Sequence, residues 1–409
     1  MIRTCISCAV IILFAASAGG AEAPATLEKA EFLSTPGSDW KLLWNDEFTG
    51  DALDEKKWAI GLPWGGTDGD GRHHNDLYAS YIMDHNVVVE EGTLKLLTRR
   101  EDVKDRKGRT FHFTQGLITT VKSFRHRYGY WEARVKLPVE AGPGLWPAFW
   151  TLAEGWPPEM DICEIWTSSN RSHQGLCYRV EGERRERWDS SNTHTPLPTG
   201  WTTYGMEWGP GYQIYNINGR VSKRIFGDHV TEDQHYILLN SGVESGAKPT
   251  PATVFPNAFE VDYVRVYERP DVAIVHNGGF EQDERGPWGR SGQVVVVPYG
   301  ARSGKQALRV DAGPSADSAT SEQKIFGLRP KTSYILSGWA RRLTDAGEAR
   351  LGVKNHGGEE KFGRATGRDY EPLEVEFTTG PDTTTATIYC YVPGVEAAAL
   401  FDDVMLRRK

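Results

Sequence analysis

Past its first residues the chain has no long apolar run, only 5 cysteines and 5 methionines in 409 residues, and no surplus of positive charge. Each shortage excludes something. A chain without further apolar stretches of about 18 residues is not a polytopic membrane protein. With a formal net charge of −8 it lacks the concentrated basic surface that nucleic acid or an anionic membrane would require. Cys5 and Cys8 lie in the N-terminal leader, and Cys163, Cys177 and Cys390 have the spacing of neither a disulfide framework nor a zinc site. They read as small buried hydrophobes, with a Cys163–Cys177 bridge as the alternative. There is no internal repeat or heptad, and no long segment carries a 3.6-residue apolar stripe.

What is abundant points to β structure. The chain has 14 Trp and 44 Gly, and 12 of the Trp precede residue 270. Short β-like runs succeed one another between Gly, Asn, Asp and Pro: Asn86 to Val89, Thr93 to Thr98, Tyr128 to Leu137, Gln213 to Asn218 and Val261 to Tyr267. In Tyr128 to Leu137, one parity holds Trp131, Ala133, Val135 and Leu137. The other holds Glu132, Arg134 and Lys136, so one face is expected buried and the other wet. Residues 1–23 read as a signal peptide, with Arg3, the apolar stretch Ala9 to Ala18 and an Ala21-Glu22-Ala23 cleavage site. Secretion, to the exterior or the periplasm, is the expectation. The character changes near Glu268-Arg-Pro-Asp271, which divides the rest into units of 30–269 and 273–409, the second again with strand-like runs at Tyr334 to Trp339 and Leu373 to Thr378.

The chemistry concentrates in Pro158-Glu-Met-Asp-Ile-Cys-Glu-Ile-Trp166. On a strand Glu159 and Asp161 share a face, while Glu164 has the wrong parity and joins them only through a β-bulge at Ile162 or Cys163. Two carboxylates flanking a sugar bond are what glycoside hydrolysis needs, with a third group between them to tune charge. With 55 acidic residues, this spacing arises by chance roughly once per chain of such a length, so context has to decide. Gly144-Leu-Trp-Pro-Ala-Phe-Trp150 and Trp156 stand just upstream. Aromatic faces stack on sugar rings, and apolar walls raise a neighbouring acid's pKa.

Several ordered segments resemble glycoside hydrolase family 16: Leu42 to Phe48, Val87 to Leu94, Tyr128 to Pro138, Gly144 to Trp150, the acidic strand, Thr203 to Trp208, Tyr236 to Asn240 and Val261 to Tyr267. The resemblance implies a concanavalin-like β-jelly-roll and a retaining mechanism, with Glu159 as nucleophile, Asp161 as helper and Glu164 as general acid/base. Bulged members of the family commonly place a His on the next strand to bond the Asp. Here Cys177 stands where that His is expected, leaving His173 as a substitute or the site differently tuned. Trp146, Trp150 and Trp156 are candidate sugar contacts, with His74 and Asn75 from the loop Arg72-His-His-Asn-Asp76. His73 and His74 have no further ligand at metal spacing.

No cofactor is expected for catalysis. The family often holds a structural calcium, to which Glu47, the Gly92 carbonyl and Asp262 would correspond. Asn277 to Glu281, Tyr334 to Trp339 and Phe401 to Val404 resemble a β-sandwich carbohydrate-binding module of the families 4, 9 and 22 type, in which Glu281 and Asp402 would match a second calcium position. Of its two Trp, Trp288 and Trp339, the latter reads as core. The expectation is a secreted monomeric endo-hydrolase of a β-linked polysaccharide, laminarin-type β-1,3-glucan first. A red-algal galactanase (agarase, porphyranase or carrageenase) and a non-catalytic glucan-recognition protein are the alternatives.

Overall fold

The computed structural model describes residues 40–194, 196–268, 275–281 and 287–409. The expected signal peptide lies outside them. Among the described residues the first unit is two packed antiparallel-rich sheets of ten and seven strands, and the second is two sheets of five strands each. An all-β sandwich is what alternating short strands without amphipathic helices produce, since each sheet buries one face against the other.

In the larger sheet, strands Gly129–Lys136, Trp201–Gly209 and Asn257–Glu268 are central neighbours. The expected parity holds on the core side: Trp131, Ala133, Val135 and Leu137 are all buried. The wet face is corrected at Glu132, which is only 7% exposed. The pairing explains it, because Glu132 lies between Gly205 and Arg265 on flanking strands, and Arg265 is itself held by both oxygens of Glu47 at 2.8–2.9 Å. The smaller sheet runs in the order Arg187–His194, Arg171–Tyr178, Glu159–Trp166, Ala148–Leu152, Tyr236–Asn240, Leu117–Thr119 and Ala59–Ile60. Its inner face supplies Phe149, Met160, Ile162, Ile165, Leu176, Ile237 and Leu239 to the core. Its outer face is free to carry the site. Cys163, Cys177 and Cys390 are all free and buried, so the bridge does not form.

The second sandwich packs its core around Phe280, Leu336, Phe377, Ile388 and Phe401. Trp288 belongs to that core, with its indole N–H donated to the His276 carbonyl at 2.9 Å. Trp339 does not: it is half-buried on the outer face, with the Arg302 guanidinium 4.0 Å from its ring. The two sandwiches touch. The His276 ring meets Tyr212 and Phe226 at 4.3 and 5.0 Å, Lys324 pairs with Asp228 at 2.5 Å, and Phe326 lies over Gly211.

Trp131 is fully buried at the middle of the first core, and its N–H reaches the Tyr128 carbonyl at 2.8 Å. Trp131→Ala leaves a large cavity and is expected to cost about 3–5 kcal/mol. The measurement is the urea midpoint followed by tryptophan fluorescence, and an unchanged midpoint would contradict this packing.

Candidate active site

Strand Glu159–Trp166 pairs with Ala148–Leu152 on one side and Arg171–Tyr178 on the other, and both ladders slip between Asp161 and Glu164. The slip is the expected bulge. Met160, Ile162, Cys163 and Ile165 all enter the core, so two successive residues point inward. The alternation is thereby reset, and Glu159, Asp161 and Glu164 all line the same cleft on the outer face.

That cleft has a volume of about 890 Å³ and is walled mainly by aromatic side chains. Three of the expected contacts come from the run before the acids. Trp146 donates its indole N–H to Glu164 Oε1 at 2.9 Å and stacks on Tyr78 with ring centroids 4.4 Å apart and planes 1° from parallel. Trp156 donates to Glu159 Oε2 at 2.9 Å and remains 49% exposed, a free aromatic face at the rim. Trp150 lines the cleft but is 4% exposed, with its N–H given to Asn240 Oδ1 at 2.8 Å. It forms the floor, whereas Trp156 offers an open face for stacking.

The opposite wall is the loop after strand Ala59–Ile60. It folds tightly because Gly66 and Gly71 take positive φ where a Cβ would strike the carbonyls of His73 and Leu62. Asp68 accepts the amides of Asp70 and Arg72 and the Tyr81 hydroxyl, which pins the loop internally. Adjacent histidines therefore divide. His73 is 1% exposed and bonds the Tyr78 carbonyl at 2.9 Å, while His74 turns into the cleft between Trp64, Tyr78 and Trp150. Burial pushes the His74 imidazole down to about 4, so it is a neutral donor and acceptor near neutral pH. Asn75 also lines the cleft, with its side-chain oxygen accepting the Leu77 amide at 2.9 Å.

Several cleft residues are not signalled by the sequence: Trp64, Tyr78, Trp166, Trp188 and Tyr236. Trp166 follows Glu164 by two residues and shares its face of the strand; the others come from distant segments, and among those only the one around Trp64 is marked in advance, by its glycine density. Cys177 pairs with Glu159 across the ladder and is fully buried, and burial followed by the charges of Glu159 and Asp161 pushes its thiol up to about 12. His173 is paired with Glu164 instead of Asp161. Gly175 is the residue opposite Asp161, so the next strand brings no imidazole to the helper position.

The electrostatics follow from crowding three acids under an aromatic wall. Burial, opposed by the Trp156 N–H, raises Glu159 to about 7. Burial and the nearby Glu159 charge, opposed by the Trp146 N–H, raise Glu164 to about 8. Asp161, 2% exposed and with Oδ2 lacking a protein partner, is driven up by burial and then by both glutamates. Near neutral pH the trio therefore holds shared protons, the condition for one group to act as acid while another acts as base or nucleophile.

The expected calcium positions are engaged otherwise. Glu47 is bound to Arg265, and Asp262 pairs with Arg134 at 2.5 Å. Gly92 sits in the turn between strands Val87–Glu90 and Thr93–Arg99. A guanidinium on each carboxylate is a poor setting for a second cation. In the second sandwich Glu281 Oε1 accepts the amides of Lys305 and Gln306, and Asp402 Oδ2 those of Arg302 and Ser303. Among the described residues no group of three His, Cys, Asp or Glu gathers at metal distance.

Residues 74–245 match glycosyl hydrolases family 16, and residues 272–398 match a carbohydrate binding domain. A keratan-sulfate endo-1,4-beta-galactosidase of Sphingobacterium multivorum is 28% identical over 91% of this chain and 87% of its own length. The endo-1,3-1,4-beta-glycanase ExsH of Rhizobium meliloti is 30% identical, but over 38% of this chain and 34% of its own. Among solved structures, the catalytic domain of an endo-1,3-beta-glucanase (laminarinase) from Thermotoga petrophila superposes with a TM-score of 0.50 at 27% identity, over 57% of this chain and 99% of that one. The bulged acidic strand thus lies inside the segment matched to family 16, and the chain carries a glycosyl hydrolases family 16 match over 74–245 followed by a carbohydrate binding domain match over 272–398.

Proposed function

We propose that the protein is a retaining endo-acting hydrolase whose substrate is a β-linked galactan of the keratan type. The observation that carries the substrate is the extent of the galactosidase relationship, which runs through both domains. The glycanase ExsH and the laminarinase structure are matched over 38% and 57% of this chain. Laminarin-type β-1,3-glucan, the first expectation from sequence, is the second reading, and the laminarinase fold supports it. The enzyme would work outside the cytoplasm, as the 1–23 segment suggests.

In the reaction, protonated Glu164 donates to the leaving glycosidic oxygen while ionised Glu159 attacks the anomeric carbon. Water, deprotonated by Glu164, then releases the glycosyl group and regenerates both residues. The indoles of Trp146 and Trp156 hold the two carboxyls in place. Asp161, when protonated, can donate to Glu159 and spare the site a third full charge. The second domain would raise the local concentration of chain at the cleft. Calcium, if bound at Glu281 and Asp402, would stabilise the binding domain and take no part in the reaction.

Glu159→Gln and Glu164→Gln are each expected to lower reducing-end release by about 100-fold or more while leaving the circular-dichroism spectrum unchanged. The assay is run in parallel on keratan sulfate, laminarin, agarose, porphyran and carrageenan. Release from laminarin alone would replace the galactan reading. Binding without release from any of them would favour a non-catalytic recognition protein.

The pH profile is a second test. Activity requires Glu159 ionised, above about 7, and Glu164 protonated, below about 8. A narrow bell centred between those values is expected for kcat/KM. A raised folded-state pKa on an acid also means that stability falls as pH rises from the ordinary 4.5 through about 8. Glu164→Gln should therefore raise the melting temperature at pH 9 and leave it nearly unchanged at pH 4.

A further inference from the structure

The cleft is lined by four carboxylates and by two histidines that burial keeps neutral, with imidazoles lowered to about 4, yet one guanidinium stands among them. Among the described residues Arg125 is the only Lys or Arg in the lining. Two contacts set its position. The guanidinium carbon lies 5.1 Å from the centroid of the Tyr236 ring and Nε donates to the Val121 carbonyl at 3.3 Å, with Val121 packed on the small apolar cluster that includes Trp150 and Leu152 of the cleft lining. The one acid beside it, Glu154, approaches only to 3.6 Å and is 93% exposed. An ion pair this long and this wet adds little, and a ligand anion can displace it without leaving a buried charge unpaired.

The ladder gives the distance to the chemistry. Tyr236 pairs with Leu152, and Leu152 pairs with Glu159, so the three residues share one level and one face of the sheet. Two strand spacings separate the Arg125 platform from the nucleophile, about 10 Å. That is far enough to meet a neighbouring sugar and not the bond being broken. A neutral glycan would be served by the Trp and His walls alone. A planar guanidinium fixed against a Tyr face, with its acid partner replaceable, matches the bidentate geometry of an oxyanion such as a sulfate ester.

We propose that Arg125 binds a sulfate ester on a sugar near the cleaved bond, so that the enzyme prefers sulfated over unsulfated chains. The proposal rests on the glycosidase reading above. The test compares keratan sulfate with chemically desulfated keratan, and sulfated laminarin with laminarin, using wild type, Arg125→Gln and Arg125→Lys. Wild type should favour the sulfated member of the pair it cleaves. In Arg125→Gln that preference should fall by about 10-fold or more, mainly through KM with kcat largely kept, because the contact lies away from the reacting bond. Arg125→Lys should recover part of it. Equal loss on both members, or a change in kcat alone, would show a merely structural role and overturn the proposal while the hydrolase reading stands. Wild type that cleaves none of the four substrates would remove the keratan and laminarin readings of the substrate, and this inference with them.

Discussion

The candidate active site depends on one irregularity of hydrogen bonding. At Ile162 and Cys163 two consecutive side chains enter the core, and the neighbouring strands on both sides shift register to accommodate them. A regular strand would send Glu164 into the hydrophobic interior, where an ionised carboxylate costs several kcal/mol. The bulge instead puts three carboxyls on the solvent side of one strand. Apolar burial of Ile162 and Cys163 holds the irregularity in place, so the packing of the sandwich and the geometry of the site are the same constraint.

Crowding the acids creates the chemistry and also its cost. Each carboxyl is desolvated by the aromatic walls, and each ionised neighbour makes the next ionisation harder. Two indole N–H groups offset part of this and distinguish the ends of the site: Trp156 serves Glu159 and Trp146 serves Glu164. Trp in this domain is thus more than sugar platform or core filler. It positions carboxylates, and its ring can still face a ligand, as Trp156 does at the rim.

Around that strand, the rest of the structure supplies walls. The glycine-rich loop delivers Trp64, His74 and Asn75 because Asp68 and Tyr81 close it into a rigid unit. The second sandwich rests on the hairpin and strand ends of the larger sheet, through Tyr212, Phe226 and Asp228. Its own Trp residues are core or capped by Arg302, so aromatic count in that domain does not locate a sugar site.

The sequence by itself determined the class of the fold, the strand that carries the acids and even the bulge, because period-two alternation is local and a carboxylate of the wrong parity must be accounted for locally. It also marked Trp146 and Trp156 by proximity. It misjudged Glu132, whose burial comes from strands flanking it in the sheet, and Trp339, whose alternation did not reveal which face was inward. Which histidine of the pair faces the cleft, why Tyr78, Trp188 and Tyr236 meet there, and how Arg125 comes to lie against Tyr236 were decided only by the tertiary structure. Those residues are distant along the chain and become neighbours only when sheet order and register are fixed, and register is set by the packing of a whole face, beyond the reach of any local pattern.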